Sequence, residues 1–359
     1  MNELRQYADR ELRGADSYFA VERAAEELEL LLAGQAEAGR EVADRLGAGI
    51  ENVFLVGAGG SLANLLPLKT IFDELLDLPV ETCAGYDLAG RESRKLTAGS
   101  LVFLASNSGE VEDTLAALRF ARQRGARTVA VVARPDSTLG RECDAVLPFH
   151  EWDEPVMVPP LLVGLRLAES AGDATLAAEL RAGLDAVPAA LRRVVPLEVE
   201  RAEGRAREFL DCHHLYLLGG GILAPLASKL AFNIVMENVR IGASFIDASE
   251  FRHGPCEALE RERPHVLALV GTDWSRTQTL RTLGLLRRAD ARLLVYDAAD
   301  FGELHPWLTP LVAYPAVEPF IIFSAVLRGI VDLAPRVHMG GRGLYAFEQE
   351  NVASPSGRA

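Results

Sequence analysis

Short apolar runs separated by amphipathic stretches cover most of this chain, and the spacing of the two changes along it. Residues 1–46 carry Leu28, Leu30, Leu31 and Leu32 among Glu and Ala with no proline, which predicts a helical segment. From residue 53 the pattern shortens. NVFLVGAGGSLANLL is an apolar run, a glycine cluster and a helix start. LVFLASNSGEVEDTLAALRFARQRG repeats it: a strand, a small polar loop, an amphipathic helix and Gly125 as its stop. TVAVVARPDSTLGREC and AVLPF supply two more strands. Strands alternating with helices of this length predict a parallel sheet with helices on both faces.

A helical, Ala- and Leu-rich bridge spans roughly 158–205 and carries many charges and Pro188. The opening pattern then returns: HLYLLGGGILAPLASKLAF matches NVFLVGAGGSLANLLPLKTIF at an offset of 215 − 53 = 162 residues. PHVLALVGTD and ARLLVYDAAD follow as further strand-and-turn units. This order predicts an internal duplication into two α/β lobes. The expected division is a helical segment 1–46, a first lobe 47–165, a helical linker 166–207, a second lobe 208–348 and a tail 349–359.

The chain has 359 residues and a formal net charge of −14, which argues against nucleic acid and anionic membrane surfaces as partners. A local pocket can still oppose the global sign, so a small anion stays possible. Cys83, Cys143, Cys212 and Cys256 have no CxxC spacing, so they read as small buried hydrophobes. The N-terminus is charged from the start and no apolar run is long and unbroken enough to span a bilayer, so the protein is expected to be soluble and cytoplasmic.

Three stretches could carry chemistry. GAGGSL, residues 57–62, lies between a strand and a helix, where backbone N–H groups face an anion; a tight turn that needs glycine for packing fits it equally well. It is not GxGxxG, because position 62 is Leu62. SNSGEVEDT, residues 106–114, ends a strand and opens a helix. Capping by Ser108 and acids placed for the helix dipole explain part of it, with Glu110, Glu112 and Asp113 in the first turn. They do not explain Ser106 and Asn107 as well, and a phosphate cradle does. The third is Glu237, late on an apolar helix, with Glu250 and His253 following in EFRHGP. Gly254 and Pro255 fix the backbone behind a histidine that titrates near neutrality, which suits an acid–base role; a turn histidine capping a helix is the plain alternative. His150, His213, His214, His265, His305 and His338 show no HxH or HExxH spacing, so no metal is assigned.

Together these residues resemble the sugar isomerase (SIS) domain family in its tandem two-domain form. SNSGEVEDTLAALRFARQRGARTVAVV is similar to the family's phosphate loop, and VGAGGSLANLLPLK, EFRHGP and HMGGRGLY are similar to stretches of the fructosamine-6-phosphate deglycases. The layout of residues 50 to about 350 also resembles the isomerase half of glucosamine-6-phosphate synthase. The resemblance implies a flavodoxin-like αβα sandwich in each lobe, and a phosphosugar or sugar–amine adduct as the ligand. It implies that Gly59, Gly60, Ser61, Ser106, Asn107 and Ser108 hold the phosphate, with Thr114 and Glu250 nearby. Glu237 would be the base moving a proton between C1 and C2. His253, 16 residues later, would assist ring opening from the neighbouring subunit of a homodimer. No cofactor is implied.

The departures are specific. Val111 stands where the phosphate loop often has threonine, and Gly60 where the synthase has threonine before its serine. The end ASPSGRA lacks the synthase's catalytic lysine, and position 2 is Asn2 rather than the glutaminase cysteine, so glucosamine synthesis from glutamine is not expected. The readings left are a deglycase, a plain aldose–ketose isomerase or aminosugar-phosphate deaminase, and a non-catalytic phosphosugar sensor. Retention of both Glu237 and His253 favours an enzyme.

Overall fold

The computed structural model describes residues 19–149, 155–172 and 174–330, together with 333 and 338. His150, the acidic stretch 151–154 and the tail 349–359 lie outside the described residues.

After a 3-10 turn, Phe19–Arg23, helix α1 runs Ala24–Leu46. The first lobe follows: β1 (Asn52–Gly57), α2 (Gly59–Leu75), β2 (Val80–Ala84), α3 (Gly85–Gly90), β3 (Ser100–Ser106), α4 (Glu112–Gln123), β4 (Arg127–Val132), α5 (Thr138–Glu142) and β5 (Ala145–Pro148). Its sheet has the order β2-β1-β3-β4-β5, with every pairing parallel. That is the flavodoxin-like order, and it reverses direction between β1 and β3. A crevice forms beyond the carboxyl ends of these two strands, and ligands of open α/β sheets collect there.

Two helices carry the chain onward, α6 (Val158–Ala171) and α7 (Thr175–Glu208). Pro188 and Pro196 both lie inside α7. The second lobe comprises β6 (His214–Gly219), α8 (Ala224–Lys229), β7 (Gly242–Asp247), β8 (His265–Val270), α9 (Arg276–Arg288), β9 (Arg292–Asp297) and α10 (Pro310–Leu327). Its order β7-β6-β8-β9 repeats the first sheet without a fifth strand. β1 and β6 stand 214 − 52 = 162 residues apart, the offset read from the sequence.

Strand alternation explains the layering. Val53 and Leu55 face a large core shared with α1, α6, α7 and α10, while Phe54 and Val56 face a separate core under α4. β8 divides in the same way: Leu267 and Leu269 join the shared core, and Val266 and Ala268 the outer one. Both faces of each sheet are thus covered, as parallel strands require. Two helical stretches, Gly221–Val239 and Pro306–Leu327, do reach bilayer length and mean hydropathies of 1.2 and 1.7, which the sequence reading had excluded. The second has 89% of its apolar window packed inside the protein, as a core helix does, and the first has 50%.

Candidate active site

Both loops singled out in the sequence sit at the β1/β3 reversal. β1 ends at Gly57, where an added Cβ would lie 2.9 Å from the Leu62 nitrogen, so only glycine lets helix and strand approach this closely. Gly59 takes a left-handed φ of +51°, and α2 starts there without any side-chain cap. Ser61 donates its N–H back to the Ala58 carbonyl at 3.2 Å.

The serine loop is folded by its own hydroxyls. Ser106 is buried, and its Oγ accepts the Gly109 N–H at 3.0 Å. Asn107 accepts the Ala133 N–H on its backbone carbonyl, and its side chain is exposed. Ser108 is exposed, and its Oγ accepts the Glu110 N–H at 3.2 Å. α4 begins at Glu112 after Val111, which caps nothing. Two expectations are corrected here. Ser108 does not cap the helix. Glu110 lies upstream of the first turn and accepts the Thr138 N–H at 2.7 Å, pinning the loop to α5. This bond holds the Glu110 carboxyl below the usual carboxylate range. Thr114 is buried under α3, which meets the start of α4 at Gly85, and its Oγ1 has no hydrogen-bond partner among the described residues.

The second lobe reaches across to this crevice. α8 continues without a break as a π-helix, Leu230–Val239, closed by the bond from the Arg240 N–H to the Val235 carbonyl and by a left-handed Arg240. The sequence predicted an ordinary helix; a π segment widens the turn and marks functional sites disproportionately. Asn233 on this helix covers the glycine turn: a Cβ built on Gly59 would lie 3.4 Å from Asn233 Nδ2. Glu237 follows four residues later, half-buried, on the helix that exposes Phe232 and Met236. One chain therefore brings Gly59, Gly60 and the helix bearing Glu237 together, with Ser61, Ser106, Asn107 and Ser108 at the same sheet end.

The bonds shown for Glu250 and His253 are local. Both residues are exposed on the turns after β7. His253 donates its N–H to the Glu250 carbonyl at 2.9 Å, and its Nε2 accepts from Arg252 Nε at 3.0 Å. Gly254 has φ +131°, which only glycine holds easily. Among the described residues no His/Cys/Asp/Glu cluster could hold a metal.

The duplicated lobe explains what the loops do. Gly221 matches Gly59, with φ +54°. There the Asp273 carboxylate fills the crevice: one oxygen accepts the Ile222 N–H at 2.8 Å, and the other accepts the Ser275 N–H at 2.8 Å and its hydroxyl at 2.5 Å. By strand register Gly109 holds the corresponding place in the first lobe, and glycine brings no charge. Asn233 and Asp273 were not singled out in the sequence; the internal duplication, followed strand by strand, was the signal that could have found Asp273.

Residues 48–165 match the family model of the SIS domain. The fructosamine deglycase of Bacillus subtilis strain 168 is 29% identical over 284 residues, covering 75% of this chain and 85% of that protein. The fructoselysine 6-phosphate deglycase of Escherichia coli K12 is 25% identical over 283 residues, covering 78% and 83%. A solved Bacillus subtilis structure, described as a phosphosugar isomerase, superposes with a TM-score of 0.79 at 26% identity over 86% of this chain and 97% of that one.

Proposed function

We propose, for a chain that belongs to the SIS domain family, an enzyme that splits a fructosamine 6-phosphate into an aldose 6-phosphate and a free amine. The observation that carries this reading is the contrast between the two lobes. The second lobe supplies its own anion, the Asp273 carboxylate, to a glycine turn and a loop hydroxyl. The first lobe has the same turn and two helix starts without a side-chain cap, with Ser61, Ser106 and Ser108 around them and Gly109 in the place that corresponds to Asp273. N–H groups and hydroxyls at helix N-termini suit a phosphate monoester without any lysine.

With the phosphate so docked, the sugar extends toward the π-helix. Glu237 removes a proton from C1 as the C2 carbonyl oxygen is protonated, giving an enaminol. Glu237 returns the proton to C2, and C1 becomes an aldimine. Water adds across the C=N bond, the C–N bond breaks, and amine and aldose 6-phosphate leave. One carboxylate serves both transfers because the carbons are adjacent and the proton stays on one face. His253 lies exposed with only local bonds, and Phe232 and Met236 are 49% and 40% exposed beside Glu237. Both facts support a homodimer in which the partner subunit's His253 completes each site and assists ring opening.

The test is product analysis with fructosamine 6-phosphates, fructose 6-phosphate and glucosamine 6-phosphate. Equimolar glucose 6-phosphate and amine from the fructosamines alone is the expected result. Glucose 6-phosphate from fructose 6-phosphate would make it a plain isomerase, and ammonia from glucosamine 6-phosphate a deaminase. Binding without turnover across the panel would make it a sensor.

A further inference from the structure

Resting on the phosphate site of the deglycase reading, we propose that Asn233 is a further substrate-binding residue: its side-chain amide, carried by the second lobe, donates a hydrogen bond to the sugar phosphate docked on the glycine turn of the first lobe. Asn233 lies half-buried on the π-helix. A Cβ built on Gly59 would meet Asn233 Nδ2 at 3.4 Å, and one built on Gly60 would meet Asn233 Cβ at 3.7 Å and Cγ at 3.8 Å. Apart from the turn and helix that bear these glycines, no other described atom comes within 4 Å of either position. The space in front of the turn is therefore open except where the amide borders it. That amide makes no hydrogen bond to a described residue, so both of its N–H donors are available.

The chemistry of the place suits a donor. α2 opens at Gly59 without a side-chain cap, so backbone N–H groups face this space. A neutral amide adds donors to them, whereas a carboxylate only accepts. In the second lobe the group against the matching Gly221 is the Asp273 carboxylate. The turn that carries its own anion is thus faced by an acceptor, and the turn proposed to receive one from solution is faced by a donor. The place of the amide on its helix has a second consequence. Glu237 follows four residues later, close to one turn, on the same side of the helix. The carbon chain of the sugar separates its phosphate from C1 and C2. A phosphate held by Asn233 therefore sets the reacting carbons against the turn that bears Glu237, and the bond ties the substrate to both lobes.

The test compares the full-length wild type with Asn233→Ala and with Asn233→Asp, which keeps the shape but only accepts. Calorimetric Kd for inorganic phosphate, kinetics on one fructosamine 6-phosphate and Tm without ligand are measured for each. Asn233→Ala should weaken phosphate about tenfold and raise KM alike. Asn233→Asp should weaken it about 100-fold or more, because a carboxylate then faces the phosphate dianion. Tm without ligand should stay within about 3 °C of wild type. A packing role gives the opposite split, a lower Tm in both variants with phosphate Kd unchanged or weakened equally, and that result overturns the proposal. Either variant decides against wild type if the other fails to fold. Ser108→Ala separates the residue from the reading it rests on. Phosphate affinity lost in Ser108→Ala but kept in both Asn233 variants removes Asn233 and leaves the phosphate site. A graded loss in the Asn233 variants, with no glucose 6-phosphate formed by the wild type, upholds Asn233 and removes the deglycase reaction. A wild type that binds no phosphate overturns both.

Discussion

Ser106 and Ser108 are each half-spent on the loop's own backbone, since each Oγ accepts one N–H and keeps its proton to donate. If they hold a phosphate, each loss removes a charge-assisted bond. Ser108→Ala should raise KM for the phosphosugar about tenfold or more with little change in kcat. Steady-state kinetics of the single variant checks this, and an unchanged KM would take the serine out of the site. Two histidines away from the site each contribute to the pH dependence of stability. His265 is held below its ordinary value by burial and then by Arg292, with Asp211 Oδ1 3.4 Å from Nε2, too long for a good bond. Burial holds His305 down as well. A depressed histidine is neutral in the folded state while the unfolded chain takes up a proton. Stability is therefore fully present above about pH 6.5 and falls as pH drops through the folded values. Tm measured from pH 8 to pH 5 should be flat and then decline, and His265→Gln should flatten part of the decline. The serines, the glycines and Glu237 were legible in the sequence because their types are odd for their places. Asn233 was not, because an amide on a helix looks like solvated surface until the helix docks against another lobe.

At the scale of elements, seven strands read cleanly and two did not. The missed ones, β2 (VETCA) and β7 (GASFID), are sheet edges, and half-buried edge strands carry weak apolar patterns. The π-helix was illegible for a different reason: its composition is that of an α-helix, and only the backbone bonds reveal it. The serine loop owes its shape to Gly109, with φ +69° and its Cα face against Ser137, so that any Cβ would collide with Ser137 Oγ. Gly109→Ala combines positive-φ strain with overpacking and should cost about 2–4 kcal/mol. Chemical denaturation measures it, and a loss under about 0.5 kcal/mol would show that the loop relaxes freely.

For the whole molecule, the duplication sets two similar crevices side by side: Asp273 fills the one in the second lobe, and Gly109 holds the corresponding place in the first, where the proposed reaction puts the sugar. The sheets share a single helical core, so the lobes hold the first lobe's loops and the second lobe's π-helix in one fixed relation. The proposed dimer is the part a single chain conveys least. If Glu237 and the partner subunit's His253 serve the same site, Glu237→Gln and His253→Gln variants are each inactive alone. Mixed equally after reversible dissociation, they should recover about a quarter of wild-type activity, because half the dimers are mixed and each mixed dimer has one intact site. No recovery from a verified mixture would place both residues in one subunit's site.

In the proposed reaction Glu237 moves the proton of a phosphosugar adduct docked on the first lobe. Wild type and Glu237→Gln should be compared on one fructosamine 6-phosphate, with glucose 6-phosphate followed enzymatically and substrate binding by calorimetry. A loss of about 10³-fold or more in kcat is expected, with Kd within about threefold of wild type, because the amide keeps the shape and loses the base. Turnover near the wild-type rate in the variant would contradict it.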